Sequence, residues 1–441
     1  MNARIAVALA AAVVVAVLSP LTLWFAVAIV ATVGLLVRGL DGPERRWVIA
    51  IVAVAVVLRL AAIGALFLSA DHLRVPFASL FGDEEYFIKR SLWLRNVSLG
   101  IPVHMLDLEY AFEPNGSSSF VVLLAAVQAV VGPAPYGLHL LSVVFYVAAV
   151  LVLYRVVRPG FGRAASLFGL VLLLFLPSLF AWSIAVLKEP PFMLLSAIAL
   201  ALAVLIVRGS SWLVRSASVF GIVLIAAVLQ TLRADGGLYV VAATLLGLAL
   251  GLAAARPRRL VATIAMLPIA AALVLRVPDM QLRAYAALQR AARQHWGAVV
   301  VSPGLGFKLL DDRFYADVNL ASDLRAGEAA RFVLRGAAAF VALPLPWQAE
   351  SRSTAAYIPE QVAWYALVVL VAAGVATAFR RDPQLAGLLT VYALLLALGA
   401  AFTDGNIGTL VRHRGLTLPY LVWFGGIGFC ELLTRAEARW L

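Results

Sequence analysis

The sequence predicts an all-α, polytopic integral membrane protein. It expects about twelve transmembrane helices, with interfacial helices in two long extracytoplasmic loops. Composition is the first reason. Of 441 residues, 63% are hydrophobic and only 13% are charged, whereas a soluble domain lies near half apolar and a quarter charged. A water-soluble globule could not cover that much apolar surface. The second reason is that apolar runs long enough to cross a bilayer recur along the whole chain. The third is that arginines collect in alternate connections, the positive-inside pattern. Soluble enzymes, nucleic-acid binders and disordered scaffolds are excluded. The single cysteine, Cys430, excludes an internal disulfide and any cysteine metal cluster.

In chain order, residues 1–46 hold an apolar block, 5–37, divided by Leu18-Ser19-Pro20. Proline breaks a helix there, which suggests a tight hairpin of two short helices. A signal peptide is the competing reading, from Arg4 and the run 5–18, but no small-x-small cleavage site follows. Ten clear runs come next: 47–69, 137–157, 164–184, 190–207, 216–232, 236–255, 260–276, 358–378, 384–401 and 415–433. The organisation is then a hairpin (1–46), a membrane core (47–276) with a first outer loop (70–136), a second outer loop (277–357), and C-terminal membrane helices (358–441). Within the first loop, 120–131 is apolar but too short to span and reads as an interfacial helix. The second loop holds an amphipathic stretch, 324–342, before Pro344-Leu345-Pro346-Trp347. Connections this long usually carry function.

With the N-terminus inside, the short inner loops hold Arg38, Arg45, Arg46, Arg155, Arg158, Arg163, Arg208, Arg215, Arg256, Arg258, Arg259, Arg380 and Arg381 against few acids. That placement accounts for the net charge of +12 without any nucleic acid. Most remaining acids then face outside, and both termini are cytoplasmic.

Three polar clusters are costly at the membrane boundary. In the first, Asp83-Glu84-Glu85-Tyr86 follows the 47–69 run on the outer side. Asp83 fits an N-cap with the glutamates favouring the helix dipole. It equally fits a general base, since a sugar hydroxyl is a poor nucleophile until a carboxylate accepts its proton. The second cluster is Trp182-Ser183 with Lys188-Glu189-Pro190, and Arg233 with Asp235 resembles it at the end of 216–232. An interfacial tryptophan, a snorkelling lysine and a rim ion pair explain these residues. Lys188 meeting a phosphate and Glu189 holding a hydroxyl or a metal explain them too. In the third, Asp404, Asn406, Arg412, His413 and Arg414 occupy a short outer loop before 415–433. Two arginines there run against the positive-inside bias and suit phosphate or pyrophosphate, or a lipid headgroup. Arg59, near the middle of 47–69, must face a partner inside the protein or a lipid substrate.

At these residues the chain resembles the GT-C superfamily of integral-membrane glycosyltransferases, in particular bacterial, mannosyltransferase-like members that use polyprenyl-phosphate sugars. The resemblance rests on Asp83, Glu84 and Tyr86 in the first outer loop, the interfacial helix ending near Gly132-Pro133, the basic turn from Arg155 to Arg163, Trp182-Ser183 with Lys188-Glu189, and Asn406-x-Gly-Thr with Arg412-His-Arg. It covers roughly residues 47–430. It implies a GT-C-like fold in the bacterial inner membrane and an inverting transfer outside the cytoplasm. The donor would be a polyprenyl-linked sugar and the acceptor a glycan, lipid or protein. Asp83 matches the family's catalytic acid and Glu84 the second acid of the pair. Glu189 matches the second-loop acid loosely, because Lys188 precedes it and two prolines follow. Tyr86, Lys188, Glu189, Arg233, Asp235, Asn406, Arg412, His413 and Arg414 would bind substrate. No cofactor is expected; any metal would be a hard divalent ion, Mg or Mn, on carboxylates. The competing functions are an O-antigen-type polymerase or ligase, and a transporter or flippase for a lipid-linked sugar. A major-facilitator transporter would show two similar halves and a long inner central loop, and neither is present.

Overall fold

The computed structural model describes residues 20–440 apart from 71–81, 113–118, 257, 259–261, 263–264, 267–272, 274–275, 318, 321–323, 346 and 348–356. Among the described residues every regular element is helical. The chain divides into two compact units, one formed by residues up to Pro159 with Leu170–Val241, the other by Gly160–Gly169 with Ala242–Leu441.

The first unit contains α1 (Pro20–Leu36), α2 (Gly42–Ser69), α3 (Gly82–Ser98), α4 (Met105–Ala111), α5 (Ser119–Val131) and most of α6 (Leu138–Phe161). It continues with the end of α7 (Arg163–Phe175), α8 (Pro177–Ile184), α9 (Glu189–Arg208), α10 (Trp212–Leu232) and the start of α11 (Gly236–Ala254). The second unit takes the rest of α11, then α12 (Pro278–Val300), a 3-10 turn (Asp312–Tyr315), α13 (Ala326–Ala342), α14 (Ile358–Arg381), α15 (Pro383–Thr403) and α16 (Ile407–Trp440). Among the described residues eight helices are long and apolar enough to cross a membrane: α2, α6, α9, α10, α11, α14, α15 and α16. Counting α7 with α8 as one broken span makes nine. The expected hairpin's first arm and most of 260–276 lie outside the described residues, and α1 supplies the second arm from Pro20.

The expectation of one continuous helix over 164–184 is corrected. The chain bends by 60° between α7 and α8. Pro177 is the cause, because it has no N–H to donate and crowds the carbonyl four residues back. In an apolar setting the released carbonyls need new donors. Tyr146 Oη donates to Leu173 O. Arg59 Nη2 donates to Leu174 O at 3.0 Å, its Nη1 to Ala55 O at 3.1 Å and its Nε to Ser183 Oγ at 2.7 Å. The Arg59 guanidinium also lies 4.8 Å from the Phe180 ring centroid and 5.3 Å from that of Tyr146. Arg59 is therefore fully buried among protein partners. Trp182, expected at the membrane interface, is buried as well.

At the opposite end of α2, buried Glu44 accepts from Tyr154 Oη at 2.5 Å and from Arg158 Nε and Nη2 at 3.1 and 2.7 Å. A carboxylate removed from water needs such partners, and this one ties the start of α2 to the end of α6. The described residues of 70–136 are largely helical. Gln128 of α5 joins α3 through Ser91 Oγ (2.8 Å) and through Arg95 Nε on its own carbonyl (2.9 Å), while Phe87 meets Phe120 edge to face.

In the second unit α14 and α16 approach closely because Gly374 and Gly428 have no side chain. A Cβ on Gly374 would overlap Phe424 O, and one on Gly428 would overlap Leu370 O. The 277–357 loop holds more than the expected amphipathic helix. α13 matches that expectation, but α12 and the 3-10 turn were not anticipated. They enclose a core of Ala292, Leu309, Leu310, Phe314, Leu324, Phe332 and Ala339. Residues 305–307 also pair with 405–407, through Phe307 N to Gly405 O (2.9 Å) and Ile407 N to Leu305 O (3.0 Å).

Candidate functional site

The residues singled out from sequence fall into two groups, one in each unit. In the first unit, α3 begins at Gly82, which puts Asp83, Glu84 and Glu85 in its first turn and not at the cap. Asp83 is exposed and Glu84 is completely buried. Glu84 Oε2 accepts the Val186 amide at 2.9 Å and lies 3.6 Å from His139 Nδ1. His139 Nδ1 in turn lies 2.6 Å from Ile184 O. The start of α3, the start of α6 and the 184–186 turn are thus knotted around one carboxylate, and its neighbour Asp83 points to solvent. Tyr86 presents its hydroxyl to Arg90 Nη1 at 2.7 Å, and Arg90 Nη2 reaches Ala111 O at 3.1 Å. Glu85 pairs with Lys89.

The turn that Glu84 fixes leads directly to Lys188 and Glu189. Lys188 is the half-buried N-cap residue of α9, and Glu189, buried, opens that helix ahead of Pro190 and Pro191. Proline at these first positions loses no helical hydrogen bond. Arg233 closes α10 and lies 5.9 Å from the Phe192 ring centroid. Asp235 is exposed with φ 62°. Among the described residues Arg233 and Asp235 do not pair, which corrects the expected rim ion pair.

In the second unit the expected loop before 415–433 is already helix. Asn406 Oδ1 accepts the amides of Gly408 (2.7 Å) and Thr409 (3.2 Å), so α16 starts at Ile407. Arg412, His413 and Arg414 consequently sit in its second turn. His413 Nδ1 meets Asp404 Oδ1 at 2.7 Å, with Asp404 buried and His413 partly exposed. That bond leaves the His413 Nε2 as the ring's second polar atom. Arg412 is half-buried. Arg414, expected on a phosphate, is instead 3% exposed and committed to protein. Its Nη1 donates to Gln361 Oε1 at 2.7 Å, and its Nη2 donates to Leu343 O and to Ala339 O. The Phe340 and Trp364 ring centroids lie 5.6 and 5.2 Å from it.

Sequence reasoning missed His139 and His295. Each is the one histidine on its helix, and only its partners mark it. His295 Nδ1 lies 2.7 Å from Asp404 O, and its Nε2 lies 3.0 Å from Tyr315 Oη and 3.2 Å from Leu309 N. Burial pushes its pKa down to about 4, and the nearby Asp404 only partly offsets this. On the surface of the second unit Asp311 accepts from Arg331 and Arg335 at 2.7 Å each, which holds its carboxyl below the usual range.

Among the described residues no group of three or more His, Cys, Asp or Glu side chains converges as a metal site. No protein-family model, curated protein or solved structure matches the chain.

Proposed function

We propose that this protein is a membrane glycosyltransferase of GT-C type. It moves a sugar from a polyprenyl-phosphate or -diphosphate donor to an acceptor hydroxyl outside the cytoplasm. The observation that carries this reading is the split environment of two adjacent acids: Glu84 is locked to Val186 N–H beside His139, and Asp83 is held out to solvent on the same rigid turn. A general base must be both fixed and reachable.

In this mechanism the Asp83 carboxylate takes the acceptor's hydroxyl proton as that oxygen attacks the anomeric carbon. The bond from that carbon to the phosphate oxygen breaks, and the phosphate leaves with the electron pair. Lys188, on the turn that Glu84 anchors, supplies positive charge to the departing phosphate. Arg412 and His413 form an anion-binding surface of the second unit. Arg414 positions α16 by holding the carbonyls at the end of α13. A bacterial inner-membrane protein of twelve spans, with its inner loops basic, is the setting this reading implies.

A discontinuous helix is also how many transporters build ion sites. Here Leu173 O and Leu174 O at the break already accept from Tyr146 and Arg59, which favours the enzyme reading. The experiment is Asp83→Asn in purified protein supplied with synthetic polyprenyl-phosphoryl sugars. Turnover falls about 10²–10⁴-fold, the usual worth of a general base, and donor binding is kept. Wild-type turnover in that variant would remove Asp83 from the chemistry.

A further inference from the structure

We propose that a groove between α1, α6 and α9 of the first unit holds an acyl chain of an anionic phospholipid, with the lipid phosphate on Arg155. The inference is independent of the glycosyltransferase reading. Leu36 of α1, Val152 and Val156 of α6, and Ile198, Ala201 and Leu202 of α9 line the groove, and its volume is about 280 Å³. Its one charged lining residue is Arg155.

Arg155 and Arg158 lie one turn apart on α6, yet their surroundings differ. Arg158 is neutralised by Glu44 at 2.7 Å and Asp41 at 3.4 Å. Arg155 is exposed, and among the described residues no acid or carbonyl meets it. It sits six residues before the end of α6, about 9 Å inside the helix terminus at the helical rise. Beside an apolar groove at the basic end of α6, a guanidinium with no acid of its own finds its counter-charge in a lipid headgroup. A phosphodiester suits its fork of donors, and the adjoining apolar groove suits hydrocarbon and offers water nothing. Arg38, exposed two residues beyond Leu36, adds positive charge at the same end of α1. That charge favours a headgroup with net negative charge over a zwitterion.

The test is lipid retention by the purified full chain, read by native mass spectrometry after exchange into phosphatidylglycerol or phosphatidylcholine of identical acyl chains. The expected result is about a fivefold preference for phosphatidylglycerol, the worth of one basic residue near an anionic headgroup. Arg155→Ala removes the preference and Arg155→Lys keeps most of it. Ala201→Phe, which fills the groove, lowers retention of both lipids. Millimolar inorganic phosphate displaces neither. Equal retention of the two lipids by the wild type, an unchanged preference in Arg155→Ala, or displacement by inorganic phosphate alone would each overturn the lipid site.

Discussion

Asp83 and Glu84 are consecutive, but a helix rotates successive side chains by about 100°. One step along α3 therefore separates solvent from the Val186 amide. Arg412 and Arg414 show the same contrast on α16. Two steps separate a half-buried guanidinium from one spent on Gln361, Leu343 and Ala339. The pair yields opposite mutational outcomes. Arg412→Ala weakens binding of a polyprenyl-phosphate probe and lowers thermal stability by less than Arg414→Ala does. Arg414→Ala strands buried carbonyls and a glutamine, and lowers stability by about 3 kcal/mol or more. Binding by ligand-quench titration and melting of the detergent-solubilised protein separate the two; equal melting points would refute the division. The residue types at all these positions were legible in the sequence. Their division into exposed and buried was not, because it depends on helix phase, and the phase is set by starts at Gly82 and Ile407 that lie earlier than expected. Asn406 was visible as a polar residue, yet its capping role required knowing that 305–307 pairs with 405–407.

At the scale of elements, the α7–α8 break shows how a single proline recruits remote residues. Pro177 was noticed in the sequence, but the apolar run around it read as one span. What makes the bend tolerable, Tyr146 and Arg59 on other helices, is distant in sequence and carries no local signal. Tyr146→Phe leaves Leu173 O without its donor and costs about 1–3 kcal/mol, measurable as a lowered melting temperature. No loss would mean that the break is satisfied in another way. The α12–α13 piece of the second unit has its own sensitivity. His295 is neutral when folded, with its pKa pushed from 6.5 to about 4 by burial. Between those values the unfolded chain binds a proton that the folded chain refuses. Stability is therefore full above about pH 6.5 and falls as the pH drops toward 4. Protection factors of α12 should fall from pH 7 to pH 5, once the slower intrinsic exchange at the lower pH is divided out. In His295→Gln that fall should vanish. A pH-independent opening in the wild type would contradict the burial argument. α13 was legible because its apolar face repeats at helical spacing. α12 was not, because arginines interrupt its exposed side and only Tyr285, Leu288, Ala292 and His295 mark the inner one.

For the whole molecule, composition and run length are averaged over hundreds of residues, which is why the helical membrane class was readable without any contact being known. The eight long apolar helices carry that class, and the broken pair extends it. Function lives at a finer scale, where a few polar side chains must be both placed and exposed, and only coordinates separate Asp83 from Glu84. The claim joining the two scales is that this membrane chain performs a sugar transfer. It is tested most directly in sealed proteoliposomes, with synthetic polyprenyl-phosphoryl sugars and a membrane glycolipid acceptor in the outer leaflet. The account predicts release of polyprenyl phosphate matched by glycosylated acceptor, both lost in Asp83→Asn, with no intact donor crossing the bilayer. Transbilayer movement of intact donor without any release of polyprenyl phosphate would contradict it.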